Sequence, residues 1–445
     1  MNVRFIASAC VVVEHAGVRV LCDPWLSDGI YYGSWYHYPP LTIAPEDLAD
    51  VDYIYISHIH PDHMDVETLK RLPKSIKVLV LEYAEKYLVR ILSGLGFEVT
   101  EVPHRGSVTL GEDFVLELFA ADNCDPLLCS RFLGCAPQPY GKTMWIDSLA
   151  VFRGGGMTVV NTNDCPFELA HAACAAIVDR HGTVDLALVG YSGAGEYPQC
   201  FDNLQGAAIL EKAREKRAQF LSQATLFIRQ LRARAVMPFA GQYTLGGRLS
   251  ALNDLRGVPE PHEAAVELQQ LLRKDLSPPA IVLLNSGESY DVESGQASAP
   301  YMPPDPVERQ RYIDEVLSGK SFTYEGTEAA SLERVDLLPL LAEAQKRLLR
   351  HQELWNYSSP WRLYLDAGGD DLYCVPFDRT PVAAVKRGGE QGPYVRISLD
   401  YALLRMILER RAHWNNASIG SHLRFFRDPD VYERAVYMLL SYLHC

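Results

Sequence analysis

Apolar and polar positions along the chain fall into short runs with two different periods. Near the N-terminus the runs are brief and rich in β-branched residues. They predict strands over residues 3–7, 11–14 and 18–22, with His15-Ala16-Gly17 as a tight turn. Residues 51–57, Val-Asp-Tyr-Ile-Tyr-Ile-Ser, read as a buried strand. A helix over 66–72, a strand over 76–81 and a helix over 84–95 that stops at Gly96 follow. Further strands are expected at 97–102, 108–110, 114–120, 149–152 and 158–161. Then come a helix over 170–180, a strand over 186–190, a long amphipathic helix over 208–234 and a strand over 235–239. Strands that alternate with helices after early hairpins predict a layered α/β sandwich.

The pattern changes at residues 297–306, Ala-Ser-Ala-Pro-Tyr-Met-Pro-Pro-Asp-Pro, which have the composition of a linker. Beyond it helical periodicity dominates, over 307–317, 328–354 and 399–411, with two short strands at 362–367 and 373–377. The expected division is one large domain over 1–296 and a mostly helical α+β module over 307–445.

Composition narrows the function classes. Hydrophobic residues make up 48% and charged residues 22% of the 445, which excludes general disorder. Lys and Arg number 42 against 56 Asp and Glu, a net charge of −14 that repels phosphate backbones, so no nucleic-acid partner is expected. No apolar run approaches a membrane span. The ten cysteines are even in number, as a disulfide set would be. Yet Glu14 and His15 interrupt the first apolar run before it takes signal-peptide form, so a cytoplasmic chain with reduced thiols is expected.

The segment richest in candidate chemistry is Ser57-His58-Ile59-His60-Pro61-Asp62-His63. His58 and His60 leave a strand end on the same side, because strand side chains repeat every two residues. Asp62 and His63 sit one turn further on, before a helix. The four side chains form two pairs, each able to hold one metal ion, and imidazole with carboxylate suits zinc, iron or manganese.

His-x-His-x-Asp-His after a strand resembles the signature of the metallo-β-lactamase superfamily, which implies an αβ/βα sandwich with metals at one edge. By that resemblance Asp23, in Cys22-Asp23-Pro24-Trp25, supports the metal ligands from behind, and Asp164, in Asn163-Asp164-Cys165, bridges two metals. The superfamily's intermediate histidine is replaced by Asp122, with His104 as the other candidate. The late strand ends Met237-Pro238-Phe239-Ala240-Gly241 without a histidine. The implied ligand set is His58, His60, Asp62, His63, Asp122 and Asp164, with Asp62, His63 and Asp164 at the reacting centre. Such a set, rich in carboxylate, leans toward iron, with zinc or manganese as alternatives.

Several stretches, in order, resemble the cytidine-monophosphate-N-acetylneuraminic acid hydroxylase family. They are Asp23-Pro24-Trp25-Leu26, Gly33-Ser34-Trp35, Tyr55-Ile56-Ser57-His58, Ser192-Gly193-Ala194-Gly195, Pro238-Phe239-Ala240-Gly241 and Arg427-Asp428-Pro429-Asp430. The resemblance implies a dinuclear iron oxygenase acting on a small polar substrate. That family also carries a Rieske centre, which needs paired Cys and His motifs. No Cys-x-His occurs here, so electrons are expected from a separate protein. Two alternatives stay open. One is a hydrolase in which a metal-bound hydroxide attacks an ester, amide or phosphodiester. The other is an idle metal-binding scaffold.

The loop after Asp23 is dense in aromatics, and Trp35 and Tyr36 are its candidates for substrate contact. Tyr191 and Ser192, in the loop over 190–195, are candidates as well. Arg105, Arg131, Lys142 and Arg248 are the cations expected nearest the site edge, while His413 and His422 read as structural. Either the aromatic loop or the C-terminal module could support a homodimer.

Overall fold

The computed structural model describes residues 1–121, 147–325, 335–354 and 358–444. Asp122, Cys124, Cys129, Arg131, Cys135 and Lys142 lie outside the described residues.

Two sheets face each other across the main core. The first has eight strands in the order Gln296–Ala297, Ser289–Asp291, Asn2–Ala7, Cys10–His15, Val18–Cys22, Tyr53–Ile56, Lys77–Leu81 and Val99–Val102. It is antiparallel through the N-terminal hairpins and parallel from Val18–Cys22 onward. The second has seven strands: Ala280–Ile281, Ala235–Phe239, Leu186–Gly190, Met157–Asn161, Ser148–Gly154, Phe114–Ala120 and Gly106–Gly111. Its first four are mutually parallel.

Alternation explains the layering. In Cys10–His15 the run Cys-Val-Val-Val is buried on both faces, as a strand inside a covered sheet requires. Val11, Ile54, Leu116, Phe152, Leu188 and Met237 meet between the sheets. Helices Phe167–His181, Ala207–Leu231 and Pro261–Leu272 cover the outer face of the second sheet through Ile177, Phe227 and Leu268. Helices Val66–Arg71 and Tyr87–Gly94 cover the first through Leu69, Leu88 and Leu92. The result is an αβ/βα sandwich, with a C-terminal α+β part beyond it.

That C-terminal part holds more strand than its periodicity suggested. Five strands run in the order Ala383–Lys386, Asp371–Pro376, Arg362–Asp366, Tyr394–Ser398 and Arg424–Asp428. Ala383–Lys386 is a mostly exposed edge and Arg424–Asp428 carries charged ends, so neither shows the apolar alternation that marks a half-buried strand. Helices Leu338–Leu354, Tyr401–Leu408 and Trp414–Ile419 pack on the sheet. Cys200 and Phe201 reach into this second core, where Phe201 stacks on Phe425 with ring centroids 5.0 Å apart.

The six described cysteines are buried and joined by no disulfide among the described residues. Among the described residues no helix is long and apolar enough to cross a membrane.

Candidate metal centre

Parallel strands end together, so residues just past their carboxyl ends share one edge of the fold. Asp23 follows Val18–Cys22, and Ser57-His58 follow the neighbouring Tyr53–Ile56. The Asp23 backbone N–H donates to the Tyr55 carbonyl at 2.9 Å. Across the sandwich, Asp164 follows Met157–Asn161, Ser192 follows Leu186–Gly190, and Ala240-Gly241 follow Ala235–Phe239.

Asp23 is fully buried with a positive φ of 44°, and its carboxylate is saturated. One oxygen accepts the Ser57 backbone N–H at 2.7 Å. The other accepts the Ser57 hydroxyl at 2.6 Å and His63 Nδ1–H at 2.7 Å. The bonds dictate tautomers. The Ser57 hydroxyl spends its one hydrogen on Asp23, so it accepts from His58 Nδ1, 2.9 Å away. His58 and His63 therefore both carry their hydrogen on Nδ1 and turn Nε2 inward.

His63 Nε2 is buried without a hydrogen-bond partner, 3.3 Å from an Asp164 oxygen and 3.6 Å from an Asp62 oxygen. Two carboxylates around this nitrogen call for positive charge there, supplied either by a proton on Nε2 or by a bound cation. Donor atoms of His58, His63 and Asp164 lie within 4.8 Å of one another, the span of one cation's ligands. His60 stands against His58, its Nδ1 2.8 Å from His58 Nε2. Tyr31 donates its hydroxyl to Asp62 Oδ1.

The electrostatics agree with this reading. Burial opposes protonation of His63, but Asp164, Asp62 and Asp23 around it outweigh burial and push it well above its ordinary value. Burial, with His63 and His60 beside it, pushes His58 well below. Burial alone would raise Asp164, but His63 and His60 hold its carboxyl below the usual range.

Asp147 was not singled out from the sequence. It is buried, lines the cavity above the histidines and places Oδ1 3.5 Å from His58 Nδ1. Burial and the neighbouring Asp164 push its carboxyl well above the usual range. Its signal was a lone carboxylate directly before the apolar run that opens Ser148–Gly154.

A cavity of about 480 Å³ runs from this cluster to one face of helix Ala207–Leu231. Its wall includes Trp35, stacked on Tyr243 at 3.6 Å, and Ser192, whose hydroxyl donates to the Gly241 carbonyl at 3.2 Å. Lys216, Gln219 and Gln223 supply polar groups from the helix.

Five expected neighbours lie elsewhere. Tyr36 pairs with Thr244 in a two-stranded sheet and packs on Ile313 and Leu317, away from the cavity lining. Tyr191 packs against Gly241 and lines a separate small pocket with Pro261 rather than the cavity. His104 accepts the Ala120 backbone N–H at 2.9 Å through Nδ1, outside the cavity lining. Neither Arg105 nor Arg248 lines the cavity. Arg248 instead pairs with Glu325 and bonds Tyr324.

Comparison with known proteins follows this geometry. Residues 2–123 match the model of the beta-lactamase superfamily domain. A Mycolicibacterium smegmatis protein named as a Rieske 2Fe-2S iron-sulfur protein is 32% identical over 268 residues, covering 58% of this chain and 47% of its own length. The chain thus spans about half the length of that relative. The cytidine monophosphate-N-acetylneuraminic acid hydroxylase of Mus musculus is 21% identical over 468 residues, covering 97% of this chain and 72% of its own. Among solved structures, a CmlA beta-hydroxylase mutant aligns with a TM-score of 0.40 at 23% identity, covering 64% of this chain and 52% of that one.

Proposed function

We propose that this chain is a metal-dependent oxygenase that hydroxylates a small polar substrate. His58, His60, Asp62, His63 and Asp164 would hold two divalent cations, iron by preference. The observation that carries the reading is the donor set at the strand ends. Carboxylates Asp62 and Asp164 meet three imidazoles, Asp147 stands behind His58, and the late strand contributes Ala240-Gly241 where another imidazole would stand. A mixed imidazole and carboxylate set accommodates iron or manganese as well as zinc. The likeness to the mouse hydroxylase supports it, because it runs through 97% of the chain and so includes the C-terminal part.

Bound iron would supply the redox chemistry that O₂ activation requires. The chain's own residues shape the site around it. Asp23 orients His63 and, through Ser57, His58, so that each imidazole presents Nε2. Trp35 and Tyr243 form an apolar wall that excludes water on one side of the cavity, and Lys216, Gln219 and Gln223 offer polar contacts on another. Hydroxylation puts one atom of O₂ into a C–H bond and the other into water, which consumes two electrons and two protons. A separate reductant protein is the proposed partner.

The test is metal analysis of protein from iron-replete cells, followed by turnover with and without O₂. Two irons per chain and O₂-dependent consumption of reductant support the oxygenase. Stoichiometric zinc with O₂-independent turnover overturns it in favour of hydrolysis.

A further inference from the structure

A line of hydrogen bonds joins the C-terminal part to the candidate metal centre, and chemistry dictates its direction. His422 Nε2 lies 2.7 Å from the Tyr31 carbonyl, which can only accept, so Nε2 carries the hydrogen. Burial holds His422 neutral, pushed down to about 4. Its Nδ1 therefore accepts from the Tyr324 hydroxyl at 2.8 Å, and that hydroxyl oxygen accepts from Arg248 at 3.0 Å. At the other end, the Tyr31 hydroxyl reaches Asp62.

The backbone of Tyr31 needs such a hold. Tyr31 and Tyr32 sit at φ 50° and 60°, consecutive left-handed positions that bulky L residues resist. His422 holds the Tyr31 carbonyl from one side and the Ser34 hydroxyl donates to it at 2.9 Å from the other. The Tyr32 hydroxyl accepts the His413 backbone N–H at 2.6 Å. Two anchors of this strained turn therefore come from residues nearly four hundred positions away in the chain.

We infer that His422 is a positioning residue for the metal centre: it holds Tyr31 in the left-handed turn that keeps the tyrosine hydroxyl on Asp62. Without the clamp, Tyr31 relaxes to an ordinary backbone conformation, its hydroxyl leaves Asp62, and the carboxylate swings free. The C-terminal part is then a component of the centre rather than an appendage. This inference rests on the metal-centre reading but not on the choice between oxygenase and hydrolase.

Cobalt(II) titration of the full chain, read by visible absorption, tests it. His422→Leu and Tyr31→Phe are expected to lower cobalt affinity about 10–100-fold and to change the absorption envelope. His422→Gln, whose amide can still donate to the Tyr31 carbonyl, should recover most of both. Arg424→Ala breaks the Asp202 contact between the same two parts and touches none of these groups, so it should leave the spectrum unaltered. Tyr31→Phe removes one hydroxyl only and decides the matter if His422→Leu does not fold. Wild-type affinity and spectrum in Tyr31→Phe, or an equal change in Arg424→Ala, overturn the inference alone. Wild-type protein that takes up no cobalt overturns it together with the metal-centre reading.

Discussion

Gly193 faces the ring of Phe220 so closely that a Cβ placed on it would lie 1.9 Å from the ring's Cζ. Both residues line the cavity, so the narrowness of this wall depends on the missing side chain. Gly193→Ala should destabilise the protein by about 1–3 kcal/mol through overpacking. Combined with Phe220→Ala, it should cost less than the two single changes added together. Denaturant unfolding of the four proteins measures the coupling, and strict additivity would show that the ring simply swings aside.

His63 and His60 should be indispensable for metal. His63 Nε2 is the orphaned donor between Asp62 and Asp164, and His60 stands at 2.8 Å from His58. His63→Ala or His60→Ala should lose bound metal and turnover together, read by elemental analysis of the purified protein. Full metal content in either variant would move the centre elsewhere.

Asp147 should tune rather than build the centre. Its carboxylate stands 3.5 Å from His58 Nδ1, behind the ring rather than at its inward nitrogen. Asp147→Asn keeps the shape and removes the charge, so metal affinity should fall about 10–100-fold without loss of stoichiometry. Competition with a chromophoric chelator measures this, and a halved stoichiometry would make Asp147 a direct ligand.

Lys216 should give the protein an alkaline signature. It is buried on the cavity wall, donates to the Tyr197 carbonyl at 2.8 Å, and burial pushes its ammonium down to about 8 from 10.5. Between those values the unfolded chain holds a proton that the folded chain has shed, so stability rises with pH there. The slope is at most about 1.4 kcal/mol per pH unit. Below pH 8 both states are charged and the slope vanishes. Stability curves of wild type and Lys216→Met should converge or cross only in that window, and parallel curves would refute the assignment.

The site was legible where local pattern meets strand ends. A run of alternating apolar residues stopping at Ser57 announced that His58 and His60 would leave a sheet edge together, and Asp23 and Asp164 stood at equivalent stops. The aromatic loop was legible as a feature but not residue by residue. Trp35 faces the cavity, Tyr36 faces Ile313 and Leu317, and Tyr31 reaches Asp62. In irregular backbone no period assigns a side, and here two left-handed residues reverse the turn.

The sequence by itself determined the α/β alternation and the strand-end motif over 57–63, because each is written in spacing over a few residues. Only the tertiary structure brought Asp147 behind His58, Lys216 to the cavity wall and His422 to Tyr31. Those neighbours come from different sheets, helices and chain halves. Their meeting depends on how the layers pack and on which long-range hydrogen bonds that packing closes, which no local period encodes.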